Sequence, residues 1–167
     1  DSKWFSSSIS LEYVHQLRSL FDGIMVCAGT VIADNPQLTV RLGVSVIPKT
    51  RSPKKITNPY RIVLDGKLRI PLDCNLINNK DGKTIVVTSS DSEKNNKDKN
   101  PNDNIKNKIN NKNKKEKMAR IRSFGHRVIV CGDNDEVDLR ELVVRLRDIG
   151  IRRLMIEGGG ELVASAL

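Results

Sequence analysis

The stretch RRLMIEGGGELVASAL, residues 152–167, decides how the rest of the chain is read. It opens with a short apolar run and ends in a helix-like pattern, with three glycines between them. Glycine loses more backbone freedom on folding than any other residue. Three in succession mark a sharp turn, or a place where another group must come close to the backbone. The order strand, glycines, helix sets the unpartnered N–H groups of a first helical turn, with their partial positive charge, at a strand end. A phosphate can approach such a corner closely. The helix is expected to begin near Glu161, so Gly159, Gly160, Glu161 and Leu162 would offer their amides to a diphosphate. The competing reading is a plain tight turn, for which one glycine would suffice. The pattern is neither G-x-G-x-x-G nor the phosphate loop that ends in Lys-Ser/Thr.

Working outward, RRLMIEG (152–158) is the last of several short apolar runs that read as strands; the others are GIMVCAG (23–29), YRIVLDG (60–66), KTIVVTSS (83–90) and HRVIVCG (126–132). ISLEYVHQLRSLFDG (9–23) predicts a helix with Leu11, Val14, Leu17 and Phe21 near one face, Ser10 as N-cap and Gly23 beyond its end. VDLRELVVRLRDIG (137–150) predicts the clearest helix, with Leu139, Leu142, Val143, Leu146 and Ile149 on one stripe and Gly150 as its stop. TVIADNPQLTVRL (30–42) reads as turn-rich, because the step into Pro36 disfavours helix. A loop containing Pro71 joins two of the strands. Nearly all-apolar strands alternating with helices argue for a parallel or mixed sheet covered on both faces.

In open sheets of this kind ligands gather beyond the carboxyl ends of the strands. Glu157 stands at such an end, facing a ligand or else paired at the surface with Arg152 or Arg153. Gly29, Thr30 and Asp34 follow another strand end, and Arg41 is a candidate phosphate clamp because guanidinium binds phosphate bidentately. Asp34-Asn35-Pro36 is equally ordinary turn chemistry.

The chain has 167 residues and a net charge of +9, which on its face suggests a nucleic-acid partner. Much of that charge is local. Residues 91–117 hold nine lysines, nine asparagines and five acidic residues, a net +4. Two isoleucines and no aromatic residue cannot repay the entropy of ordering this run, so it is expected to be a disordered Lys/Asn-rich insertion. A polyanion-binding segment is the alternative, but more arginine and interleaved aromatics would then be expected. Cys27, Cys74 and Cys131 have neither zinc-site nor disulfide spacing. Cys27 and Cys131 end apolar runs and are expected to be small buried residues, in keeping with a reducing cytoplasm. No metal site, specific nucleic acid or membrane partner is expected, since no apolar run is long enough to span a bilayer.

Four blocks carry a resemblance: DSKWFSS (1–7), DGIMVCAGTVIADNPQLTVRL (22–42), NPYRIVLDGKLRIPLDCNLI (58–77) and IRRLMIEGGGELVASAL (151–167). Together they resemble the riboflavin-biosynthesis pyrimidine reductase family. That family comprises the archaeal and fungal diaminohydroxyphosphoribosylamino-pyrimidine reductases and the reductase half of the bacterial bifunctional deaminase–reductase. The resemblance implies an α/β, dihydrofolate reductase-like three-layer fold with a mixed, mostly parallel sheet. It implies NADPH (with NADH as the alternative) as cofactor, and a homodimer. The implied reaction is reduction of the ribosylamino group of a (di)aminopyrimidinone 5′-phosphate to the ribitylamino form. Ser2, Arg18, Leu38, Arg41 and Glu157 match substrate positions, the arginines holding the 5′-phosphate. Trp4, Thr30 and Asp34 match cofactor positions. Gly159, Gly160, Glu161, Leu162, Val163, Ala164 and Ser165 match the stretch that cradles the cofactor phosphates.

The family's Ser-Leu-Asp-Gly-Lys-like motif does not precede Asp1, and its Leu-Val-Asp-Glu segment does not follow Leu167. Residues 1–167 are therefore expected to be a single reductase domain truncated at both ends. Gly66 replaces a serine that bacterial members often carry. No nucleophile arrangement suggests a covalent intermediate, so the catalytic residues stay open; Ser2 or Glu157 is a candidate proton relay. His15 and His126 are read as structural. Thr88, Ser89 and Ser90 are candidates for a cofactor 2′-phosphate, or simply the start of the insertion. A related reductase of another substrate, such as a pterin, and a basic polyanion-binding module are the alternative functions.

Overall fold

In a computed structural model the described residues are 8–41, 57–90 and 101–158. Five strands form the sheet: β1 (Gly23–Cys27), β2 (Tyr60–Leu64), β3 (Thr84–Ser90), β4 (Arg127–Asp133) and β5 (Leu154–Ile156). They are rich in Ile and Val, which fit a pleated surface buried on both faces. The sheet order is β4-β3-β2-β1-β5, and every strand pairing among the described residues is parallel. Each strand from β1 to β4 adds beside its predecessor. The chain then crosses back, so that β5 lies on the free side of β1.

Side-chain alternation divides the core in two. Ile24, Val26, Val63 and Val86 face helices α2 (Ala28–Asp34), α3 (Asn75–Asn78) and α4 (Pro101–Ser123), through Val31, Leu76 and Ile121 among others. Met25, Ile62, Ile85 and Val87 face α5 (Leu139–Asp148), through Leu142 and Leu146. Helices therefore cover both faces, as expected for a three-layer α/β fold. Asp138 caps α5 by accepting the N–H groups of Arg140 (2.8 Å) and Glu141 (3.1 Å), and Gly150 ends it at φ +90°.

At the amino ends of the strands, Asp22 accepts the backbone N–H groups of Arg152 and Arg153 and the Arg153 guanidinium (3.1 Å), tying the approach to β1 to that of β5. Desolvation would raise the Asp22 pKa, but the bonds from Arg153 and Arg152 outweigh it and hold the carboxyl below its usual range. One charge lies deeper. Arg61, in β2, is fully buried; it donates to both carboxylate oxygens of Asp81, at 3.0 Å for Nη1 to Oδ2, and to Thr84 Oγ1 at 3.2 Å. Buried charges persist where they are paired and hydrogen-bonded, and Arg61 is both.

Several expectations need correction. Residues 30–34, read as turn-rich, and Ala28 and Gly29, read as strand, together form helix α2, which starts directly from β1; Asn35, at φ 42°, is its left-handed C-cap, so the turn begins one residue before Pro36. The Lys/Asn run was expected to be disordered over 91–117, yet Pro101–Ser123 is the 23-residue helix α4. Its anchor lies at the C-terminal end: Ile121 is fully buried, Met118 packs against the same core and Lys117 Nζ donates to Leu68 O at 2.7 Å. Residues 91–100 lie outside the described residues. Helix α1 (Ser8–Ser19) already includes Ser10, so that residue does not cap it. The Pro71 loop contains α3. On α5, Val143 points outward and is 57% exposed. Cys131 and Cys74 are buried, Cys27 half-buried. Burial, followed by the Glu141 charge, pushes the Cys131 thiol up to about 11, which makes it a packing group rather than a nucleophile.

Candidate active site

In a parallel sheet wound in two directions, adjacent strands whose connections leave on opposite sides open a crevice at their carboxyl ends. Here that switch point lies between β1 and β5. β1 hands the chain directly to α2, and β5 hands it to Glu157 and Gly158. Glu157 is held by its own backbone, whose N–H donates to Met25 O at 2.9 Å. Gly158 takes φ +74°, and a Cβ there would meet Thr30 Oγ1 at 3.4 Å. The first of the three glycines therefore passes over the first turn of α2.

The carboxylate of Glu157 meets Arg18 in α1. Arg18 Nε donates to Oε1 and Nη2 to Oε2, both at 2.7 Å, a parallel two-bond fork. The alternative partners, Arg152 and Arg153, are engaged instead by Asp22. Arg18 Nη1 also donates to Thr39 O at 3.3 Å. Among the described residues three of the five guanidinium N–H groups are thus engaged. Both side chains are mostly shielded, at 15% and 18% exposure, so the pair is stronger than a surface ion pair.

Leu38, buried at φ 48°, turns the chain so that Thr39 O points at α1. Arg41 lies two residues on. Its guanidinium donates to Gln37 Oε1 and, at 3.3 Å, to Thr39 Oγ1, and its backbone N–H reaches His15 Nδ1 at 3.2 Å. Arg18, Leu38, Arg41 and Glu157, from three separate parts of the sequence, thus form one connected cluster. His15, read from sequence as structural, and Thr39, not singled out, also belong to it. A histidine at position i and an arginine at i+3 on one helical face was the available signal. Thr30 lies beside Gly158. Asp34 is four residues beyond Thr30 on α2 and exposed. Ser2, Trp4, Gly159, Gly160, Glu161, Leu162, Val163, Ala164 and Ser165 lie outside the described residues.

The carboxyl ends of β2, β3 and β4 are closed off by their own contacts. Thr88 and Ser89 donate their hydroxyls to Gly66 O, at 2.8 and 3.1 Å, and Ser90 donates to Gly132 O at 3.0 Å. These hydroxyls belong to β3 and serve protein carbonyls, unlike the expected phosphate ligands past a strand end. A Cβ on Gly66 would lie 1.9 Å from Asp135 O. The glycine that replaces a serine here is thus required by the β4–α5 turn crossing it. Buried Asp65 accepts Ile70 N–H at 2.8 Å, which shapes the loop after β2. Among the described residues no group of His, Cys, Asp and Glu could hold a metal, and no helix is long and apolar enough to cross a membrane.

Sheet, switch point and shielded carboxylate–guanidinium cluster define an open α/β protein with a candidate site at the carboxyl ends of β1 and β5. The RibD C-terminal domain model matches residues 1–167, and the chain belongs to that family. It is 34% identical over 151 residues to the 2,5-diamino-6-ribosylamino-4(3H)-pyrimidinone 5′-phosphate reductase of Aquifex aeolicus, covering 90% of this chain and 53% of the relative. It is 33% identical to the riboflavin biosynthesis protein RibD of Actinobacillus pleuropneumoniae, covering 100% of this chain and 36% of that protein. The chain thus spans about half the length, or less, of these relatives. Among solved structures, a pyrimidine reductase-like protein from Corynebacterium diphtheriae superposes with a TM-score of 0.69 at 18% identity, over 99% of this chain and 60% of the other. The fold is that of the dihydrofolate reductase-like reductase domains.

Proposed function

We propose that the protein containing this chain reduces the ribosylamino group of a (di)aminopyrimidinone 5′-phosphate to the ribitylamino form, with NADPH as cofactor, in riboflavin biosynthesis. The observation that carries this reading is the Arg18–Glu157 pair, joined through Thr39 to Arg41 beside Gly158. The Aquifex aeolicus relative is named as a reductase of the pyrimidinone phosphate, not of a pterin. A dinucleotide fits what is described of the cradle: Gly158 leaves free the space a side chain would fill against Thr30, and the glycine run continues from it. When bound, the cofactor would supply the hydride needed to reduce the imine carbon of the opened sugar.

The protein's own part is placement. Arg18 and Arg41 attract and orient the 5′-phosphate, and Glu157 fixes the Arg18 plane. Glu157 or Ser2 is proposed to relay a proton from solvent to the nitrogen. Holding donor and acceptor in near-attack geometry is worth about 7–11 kcal/mol of barrier. We also assign the protein to the cytoplasm, as a homodimer.

Two measurements on the intact protein test the reading. Incubation with NADPH and the diamino or deaminated ribosylaminopyrimidine phosphate should consume the cofactor and yield a product heavier by two hydrogens. Reduction of dihydrofolate instead, with neither pyrimidine turned over, rejects it. Arg41→Ala should raise the substrate KM about tenfold or more, the loss of a charged hydrogen bond to phosphate, while NADPH affinity stays the same. Equal weakening of both would remove Arg41 from the substrate's phosphate.

A further inference from the structure

We infer that His15 is a positioning residue of this site, a proton-controlled link between α1 and the backbone that carries Arg41. The inference rests on the proposed function only in giving Arg41 the substrate phosphate. Its physical content is independent of that.

His15 Nδ1 lies 3.1 Å from Thr39 O and 3.2 Å from Arg41 N. The two partners make opposite demands: a carbonyl needs a donor and an N–H needs an acceptor. One ring nitrogen cannot serve both: bare Nδ1 accepts from Arg41 N–H and protonated Nδ1 donates to Thr39 O, so the proton on Nδ1 decides which bond exists. With the proton on Nε2 alone, Nδ1 accepts from Arg41 N–H. Thr39 O is then left to Arg18 Nη1, at 3.3 Å. In the imidazolium, Nδ1–H donates to Thr39 O instead. Arg41 N–H loses its acceptor, and Arg18 must share the Thr39 carbonyl.

The charges facing the ring are Arg18 from α1 itself, Arg41 from the segment after Leu38, and Glu157 from the exit of β5. Burial and the Arg18 charge hold the His15 pKa below its ordinary value. Arg41 acts in the same direction, while the Thr39 bond and Glu157 oppose it. The neutral form therefore prevails at neutral pH, and the switch lies on the acid side. The Arg41 side chain is tied to Gln37 and Thr39 of the same short segment. Releasing its backbone therefore moves the guanidinium with it.

The test uses the intact protein and has two arms. By NMR, without ligand, the Arg41 amide resonance should titrate with the same midpoint as the His15 ring. His15→Asn should abolish that titration, because its Oδ1 still accepts from Arg41 but carries no titrating proton. In steady-state kinetics the wild-type substrate KM should rise below that midpoint, with kcat less affected. His15→Leu should raise KM about fivefold to tenfold at every pH, the loss of one neutral hydrogen bond. His15→Asn should restore the neutral-pH KM and flatten the profile. An Arg41 amide that ignores the His15 titration overturns the inference, as does a His15→Leu enzyme with the wild-type KM profile. Absence of turnover by wild type at any pH would instead reject the proposed reaction, and the NMR arm would still decide the role of His15.

Discussion

Exchanging Arg18 for methionine should lower kcat/KM for the pyrimidine phosphate by about 100-fold, because it removes charge-assisted bonds worth about 1.5–3 kcal/mol each when lost. Methionine keeps much of the apolar stem, so the effect isolates the guanidinium. Two of the lost bonds are the 2.7 Å contacts to Glu157, and the third fixes Thr39 O. The loss should appear mainly in KM if Arg18 holds the phosphate in ground state and transition state alike. Glu157→Gln tests the other half. Glutamine can accept one of the two bonds but leaves a shielded guanidinium without its counter-charge, so a loss of similar size is expected. The double variant should be far less impaired than the product of the two single effects, since each residue acts through the other. Multiplicative losses, measured on the same preparations, would show that the pair does not act as a unit.

The second large effect is on stability. Asp81→Asn should destabilise the fold by about 3 kcal/mol, at the lower end of the range for breaking a buried pair, since Asp81 itself reaches solvent. Arg61 is fully buried in β2 and cannot follow a lost partner outward. For a domain of this size the melting temperature should fall by about 6–12 °C. The pH dependence carries a sign. Desolvation alone would raise the Asp81 pKa; the Arg61 side-chain bond, the Lys83 N–H bond and the two cationic charges outweigh it and hold it below 3.8. A depressed carboxyl pKa contributes stability in full above the unfolded value and loses it as pH falls through the folded one. Wild type should therefore lose stability toward Asp81→Asn only below about pH 4. Chemical denaturation across the acid range reads this directly, and parallel curves for the two proteins would contradict it.

What the sequence made legible follows from how each element is held. The strands could be read because burial on both faces leaves an apolar run that needs no partner to be recognised. Helix α5 could be read because its stripe lies between Asp138 and Gly150. Helix α2 could not. It is seven residues long, begins directly from a strand, contains Gly29 and stops at Asn35 before Pro36, so local chemistry spells a turn while packing of Ala28 and Val31 makes a helix. Helix α4 was hidden for the opposite reason: its Lys/Asn composition says disorder, and the apolar anchors Met118 and Ile121 come only at its end. Arg61 could not have been found, because an arginine inside an apolar strand reads as an edge position. The resemblance assigned Arg18, Leu38, Arg41 and Glu157 to a substrate site, but the pairing of residues 139 apart is a product of topology that no local pattern encodes. His15 was missed because a lone histidine on a helix looks structural until its two competing partners are seen.

The crossing that sends β5 back to β1 also bears on how the protein is made. A ribosome delivers β1 through β4 in the order in which they sit side by side, so most of the sheet can assemble as it emerges. The candidate site cannot. Until Leu154–Ile156 has been synthesised, one margin of β1 has no neighbour and Glu157 does not exist to meet Arg18. A nascent chain halted after β4 would have one face of its sheet still without α5, no Glu157 for Arg18, and a bare strand margin open to chaperones or to a stray copy of itself.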